Sequence, residues 1–436
     1  MQQELKKVLR IGTLISASVG IALASSDFPA LVKSASQVGG WSIIFVVIIA
    51  GLVTGFVSLA FAELSGMYPT AAGVRVYTKK AFGDQLSLTI TIFYVFFSII
   101  IASAETYVFS AVLHYMDPNL SAKLWVLIFL VIAILMNIRG IEIAGSVENV
   151  LVVIKLAGII GLSLYAIFLS PMFNISTVPF APKGFDGFFT AVATAIFIYT
   201  GFEWTTPLAE EVASGQATLP YSLPISVAVI TITFALFSYA MIGINRLSEI
   251  THTPIPHLIF GKTIAGEFGL YVMIFVSFLA TLSTFNAGVM GNSRLIYALA
   301  REGSLPKFMS KLHSKYFTPW IALLIIFSII AAFSVTIAFH PKAFLVPILV
   351  AASIETLMYG LISFSVISLR YREKDTPRVF KIRGGIILPL FTGVIFILLT
   401  LGILTTASGY VAILFFAGLL LSFLYSRFVV PSLQKR

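Results

Sequence analysis

Five ionisable side chains sit inside stretches that are otherwise apolar: the carboxylates Asp27, Glu105, Glu203 and Glu355, and the amine Lys155. A charge at the centre of a bilayer costs at least ~2.5–3.5 kcal/mol on insertion scales, so each needs a partner, a proton or water. One lysine can neutralise one carboxylate, which leaves three to hold protons or to meet a cationic ligand. Two of the acids adjoin features that break helices. Asp27 follows Gly20 and Ala24-Ser25-Ser26 and precedes Phe28-Pro29, where proline removes a backbone donor and clashes with the preceding turn. Glu203 lies in IFIYTGFEWTTPLAEE (Ile196–Glu211), after Thr200-Gly201 and before Pro207. Backbone groups freed at membrane depth survive only where protein or a wet cavity satisfies them.

The remaining chemistry is sparse. His114, His252, His257, His313 and His340 all fall in loops or at their edges, so proton handling inside the spans is left to carboxylates or Lys155. No cysteine is present, which excludes disulfides and thiolate metal sites. Without a His/Cys/Asp metal cluster, an H-E-x-x-H or a P-loop, neither a membrane enzyme nor a bound metal or cofactor is expected.

The elements that must position these groups are apolar helices. Hydrophobic residues make up 58% of the 436 and charged ones 11%, against roughly a quarter charged in a soluble globule, so the chain is an integral membrane protein. Spans of ~20 residues cross ~30 Å of hydrocarbon. Twelve are expected, near 11–32, 41–62, 86–111, 124–138, 149–170, 187–207, 222–244, 268–299, 319–338, 343–369, 385–406 and 409–430. The basic N-terminus resembles a signal peptide, but no A-x-A-like cleavage site closes the run, so the first span is expected to be retained. Trp41, Trp125 and Trp320 open spans and read as interface anchors.

With both ends on the cytoplasmic side, six of the 28 Lys and Arg fall outside (Lys33, Lys123, Lys183, Arg246, Lys262, Lys342), Lys155 lies in a span, and 21 remain inside. That is the positive-inside asymmetry. The loop Arg370–Arg383 alone holds six and reads as a solvated topology determinant. The net charge of +10 therefore has a membrane explanation, and no nucleic-acid partner is expected. Spans one and six carry the breaks, five helices apart and opposite in direction. This suggests two five-helix units of inverted topology, 11–170 and 187–369, with 385–430 added. Proline and glycine are also commoner in membrane helices generally.

Four segments resemble the amino acid–polyamine–organocation superfamily. They are AELSGMYPTAAGVRVYTKKAFGD (Ala62–Asp84), NIRGIEIAGSVENVLVVIKL (Asn137–Leu156), GFEWTTPLAEEV (Gly201–Val212) with TLP at Thr218–Pro220, and NSRLIYALAREGSLP (Asn292–Pro306). The resemblance implies an all-α membrane fold of ten core helices in two inverted repeats, with substrate between broken helices 1 and 6. It implies that a substrate carboxylate meets helix 1 amides within a G-S-G-type motif, and that helix 6 carbonyls take the amine. Here Ala24, Ser25 and Ser26 match that motif, both glycines are gone, and Asp27 stands where an aliphatic residue is usual. Thr200 and Gly201 match the helix 6 break. Phe197 matches an aromatic that covers the substrate, and Glu203 a carboxylate for gating or helix-end stabilisation. Lys155 matches a lysine of proton-coupled members that faces a helix 1 carbonyl, at Gly20, and helix 8 hydroxyls, at Ser283 or Thr284; it either cycles a proton or is a static tether.

Asp27 either selects for positive charge or caps the amides of the break. Glu105 either holds a second amino group or is a protonated acid bonded to a neighbouring helix, and Glu355 has no assigned role. The resulting expectation is a secondary transporter in the cell membrane, moving an amino acid or amine by proton symport, with no cofactor beyond the proton gradient. A cationic substrate, whether polyamine or cationic amino acid, is slightly favoured. An exchanger of neutral amino acids, an alkali-cation permease and a non-transporting sensor stand as alternatives. The oligomeric state is not readable.

Overall fold

The computed structural model describes residues 7–434 apart from 139, 140, 214, 216, 245, 252 and 341–344. Lys342 and His252, used in the charge and histidine arguments, and Arg139-Gly140 of the resembling segment lie outside the described residues.

The described residues form helices joined by loops, because each apolar run satisfies its own backbone within one helix. The first span is two helices, α1 (Ile11–Ala22) and α2 (Asp27–Val38), meeting at a 60° bend. Then come α3 (Ile43–Met67), the short amphipathic α4 (Gly73–Phe82), α5 (Asp84–Met116), α6 (Ala122–Ile138) and α7 (Ile141–Phe168). The sixth span begins as α8 (Gly184–Ala195) and changes to 3-10 geometry over Ile196–Tyr199 and Phe202–Glu211. It is followed by α9 (Thr218–Gly243), α10 (Leu247–Ile250) and α11 (Pro256–Arg301), the last kinked at Ala265-Gly266. The remaining helices are α12 (Trp320–Phe339), α13 (Leu345–Arg372), α14 (Ile387–Thr406), α15 (Gly409–Leu424) and α16 (Val430–Gln434).

Among the described residues, ten helices are long and apolar enough to cross a membrane, or eleven if α1 and α2 form one span. The expected fourth span, α6, carries only the shorter apolar run Lys123–Leu135. Packing places the two broken spans side by side: α1 contacts the 3-10 segment Phe202–Glu211, and α2 contacts α8. Around them, α3 packs on α9, α7 on α11 and α13 on α5, while α14 and α15 pack on the outside of α13.

The helix ends at the basic side are tied by ion pairs, and here several expected boundaries move. Glu63, one residue beyond the expected second span, is buried inside α3, where Arg370 (2.5 Å) and Arg378 (3.3 Å) reach it. Two residues of the supposedly solvated loop therefore hold a buried carboxylate. Arg294, counted above with the inner-side cations although it falls within the expected span 268–299, is buried on α11 and bonded to buried Glu211 at 2.8 Å. A buried unpaired charge is expensive, so removing one partner of such a pair is strongly destabilising.

Candidate functional site

Both breaks face one cavity. At the first, the helix stops at Ala22 because Leu23 leaves helical backbone (φ −104°, ψ 60°), which frees carbonyls before the break and amides after it. The amides converge on acids. Ala24 donates to Asp27 Oδ2 at 2.8 Å, Ser25 to Glu105 Oε1 at 3.0 Å and Ser26 to Glu105 Oε2 at 2.7 Å. A carboxylate lying across successive amides is the expected occupant of a helix N-terminus. The Thr281 hydroxyl adds a 2.5 Å bond to Glu105 Oε1 and fixes its orientation. Asp27 thus makes the contact that capping requires while still lining the cavity.

The freed carbonyls converge on a cation. Lys155, fully buried on α7, donates to the carbonyl oxygens of Gly20 and Leu23, each at 3.0 Å. The Gly20 contact matches the expectation, but neither Ser283 nor Thr284 bonds to the ammonium. Thr284 donates to the carbonyls of Gly20 and Ile21 at 3.3 Å, and Ser283 to the carboxylate of Glu148. Both hydroxyls, on α11, already have acceptors of their own.

Glu148 is the group that sequence reasoning missed. It is fully buried in α7, one residue outside the expected fifth span, and accepts from Ser283 and from Asn286 Nδ2 at 2.9 Å. The signal was its spacing of seven from Lys155, two helical turns on one face. Glu148, Glu105 and Asp27 are the acids close enough to Lys155 to interact with it electrostatically. Gly20 has to be small: a Cβ there would collide with the Glu148 carboxylate and the Ser283 hydroxyl.

At the second break, Thr200 turns extended and Gly201 takes φ 98°, a left-handed conformation in which a side chain would also strike Ile21. The chain then continues as a 3-10 helix through Pro207. Glu203 points away from the first break, accepting 2.7 Å bonds from the hydroxyls of Tyr94 on α5 and Tyr359 on α13. It ties the broken span to two flanking helices.

The cavity is small in this structure, with a volume of about 40 Å³. Of the expected substrate-facing residues, Ala24, Ser26, Asp27, Glu105, Phe197, Thr200 and Gly201 line it. Ser25 does not; its hydroxyl turns to Thr281 and the Ser277 carbonyl, both at 3.1 Å. Thr284 reaches the wall, while Gly20, Lys155 and Ser283 stand behind it. Glu355, left without a role above, is a lining residue, as are Trp204 and Asn292. His257 departs from the loop expectation: it is buried on the first turns of α11, stacked on Phe28 (centroids 4.4 Å apart) and bonded to Ser277. Among the described residues no group of three or more His, Cys, Asp and Glu is placed to hold a metal.

A family model described as amino acid permease matches residues 8–428. The chain is 26% identical to the branched-chain amino acid permease of Bacillus subtilis (strain 168), covering 98% of this chain and 94% of that protein. It is 27% identical to the aspartate-proton symporter of the same organism (89% and 78% covered) and 26% identical to the cystine/glutamate transporter of Homo sapiens (88% and 75%).

Proposed function

The chain belongs to the amino acid permease family, and we propose that it is a secondary active transporter of a small amine-bearing solute, driven by the proton gradient and favouring a cationic substrate. The observation that carries this reading is the pair of breaks around one cavity, with Asp27, Glu105 and Glu355 on its wall and no lysine, arginine or histidine among its lining residues. Such a wall favours a cation by the sign of its field. The substrate lies between the two breaks, with Phe197 covering it and Thr200-Gly201 offering carbonyls. Lys155 is the coupling group: a desolvated lysine sheds its proton readily, and losing it would release the Gly20 and Leu23 carbonyls that hold α1 to α7. Glu203 serves as a gate anchor.

Residues 11–170 and 187–369 act as two inverted five-helix repeats, with 385–430 added outside. The exchanged packing of α7 on α11 and α13 on α5 supports that division. The charge asymmetry supports a cell-membrane protein with both termini cytoplasmic. One observation favours exchange as a second reading: Lys155 already has two carbonyl partners and suits a permanent tether. One relative is named a proton symporter, which fits the gradient-driven mode.

Reconstitution in proteoliposomes tests the coupling. An inward proton gradient is expected to raise initial uptake of a cationic amine about tenfold, and uptake indifferent to the gradient but stimulated by internal substrate would establish exchange.

A further inference from the structure

Three acids line the cavity, but they are not equally available. Asp27 holds the Ala24 amide, and Glu105 holds the amides of Ser25 and Ser26 together with the Thr281 hydroxyl. The place where a substrate carboxylate would find converging amides is therefore already filled by a carboxylate of the protein. Any incoming carboxylate would meet two carboxyl groups that already occupy those amides, with no base on the cavity wall to offset them.

Glu355 is the opposite case. It lies on α13 and lines the cavity, is 2% exposed, and neither of its oxygens has a partner at hydrogen-bond geometry. The nearby Thr200 hydroxyl has the Phe197 carbonyl as its acceptor at 2.7 Å. Buried carboxylates are normally bonded or paired, because leaving them unmet loses solvation without return. An unmet carboxylate aimed into a cavity is a site for a donor that the protein itself does not supply. Ile21, Ile99, Val289, Ile326 and Ile330 give the wall an apolar part, beside the polar side chains of Ser98, Thr284 and Asn292.

We propose that the substrate is a primary amine without a carboxylate, its ammonium taken by Glu355 and its apolar tail by the isoleucine-lined wall, with Glu105 acting as the built-in anion that keeps carboxylate-bearing solutes out. This rests on the reading of the chain as an amine-selective transporter, and narrows it from amino acids and amines to amines. A polyamine fits less well, since its second ammonium would have to compete with backbone amides for Asp27 or Glu105.

The test compares amines with the amino acids they derive from. Binding of phenethylamine against phenylalanine, and of isoamylamine against leucine, is measured on the purified full-length protein by calorimetry and thermal shift. In each pair the amine is expected to bind tenfold or more tightly. Glu355→Gln should weaken the amine at least tenfold, Glu355→Asp should weaken it less, and the unliganded melting temperature of each variant reports folding. If the amino acids bind as well as or better than their amines, a substrate carboxylate displaces Glu105 and the proposal is overturned, while the transporter reading stands. If amines win but both Glu355 variants bind them like the unmodified protein, Glu355 is not the ammonium site and the proposal fails there. If no member of either pair binds, the proposal and the amine-transporter reading fall together.

Discussion

Lys155 on α7 donates to the carbonyl oxygen of Gly20 on α1 across 3.0 Å, and this contact ties the first break to one side chain. The carbonyls of Gly20 and Leu23 have lost their helical partners, and an ammonium can satisfy both at once. An amine that gave up its proton would keep fewer donors and no charge, and α1 would be freer to move against α7.

Replacing Lys155 by arginine separates a proton carrier from a tether. Arginine keeps the charge and the donors but does not deprotonate in proteins. Lys155→Arg should retain folding and substrate binding while gradient-driven uptake falls about tenfold or more, one decade being 1.4 kcal/mol. Undiminished gradient-driven uptake in that variant would assign Lys155 a purely structural role.

Asp27 offers a second separation. Asparagine keeps an oxygen for the Ala24 amide and removes the charge, so Asp27→Asn should melt close to the unmodified protein. Asp27→Ala leaves the amide unmet and should lose ~1–3 kcal/mol of stability. If Asp27 acts mainly as a cap, amine affinity in the asparagine variant changes only a few-fold, and equally for a neutral analogue. A tenfold loss confined to the cationic ligand would show that Asp27 reads substrate charge directly.

The buried pair Arg294–Glu211, 2.8 Å apart, makes a strong stability prediction. Arg294→Ala strands Glu211 in the interior and should destabilise by ~3–5 kcal/mol. Removing both partners, as Arg294→Met with Glu211→Leu, should recover much of that loss. Thermal unfolding of the single and double variants reads the difference.

How far the sequence reached is visible in these same residues. Helix positions followed from the apolar runs, and both breaks from Pro29 and Gly201, because backbone chemistry at these residues is local. The breaks also marked eight of the twenty residues that line the cavity. What stayed hidden depended on distance in sequence: Glu105 is 80 residues from the Ser25 amide it holds, and Glu355 became a wall residue only once α13 packed against α5. Span edges failed for the same reason. Glu148 and Glu63 looked like loop charges because hydropathy windows end at a carboxylate, whereas hydroxyls of α11 and the guanidinium of Arg370 carry them inside.

Outside the spans, Glu373 gives a pH prediction. Hydrogen bonds from Lys80 (2.7 Å) and Tyr68 hold its carboxyl below the ordinary glutamate range. A lowered folded-state value means that this contribution to stability is complete above the unfolded pKa, about 4.3, and is lost as pH falls through the lower folded value. Melting temperature between pH 6 and 8 should therefore be insensitive to the cluster. Below about pH 4.3 the unmodified protein should lose stability that Lys80→Met has already lost in part. A Lys80→Met difference that stayed constant down to pH 3 would contradict the assignment.

Solvent counterflow in proteoliposomes bears most directly on whether the two breaks form an alternating carrier. Vesicles loaded with an unlabelled amine, chosen as a ligand by thermal shift, are diluted into a trace of the same amine carrying a label, with no ion gradient imposed. A carrier that reorients around the cavity should accumulate label transiently above its external concentration before it decays to equilibrium. Label that only rises to equilibrium would indicate a channel, and label that does not enter would indicate a sensor; either result would contradict secondary transport through this site.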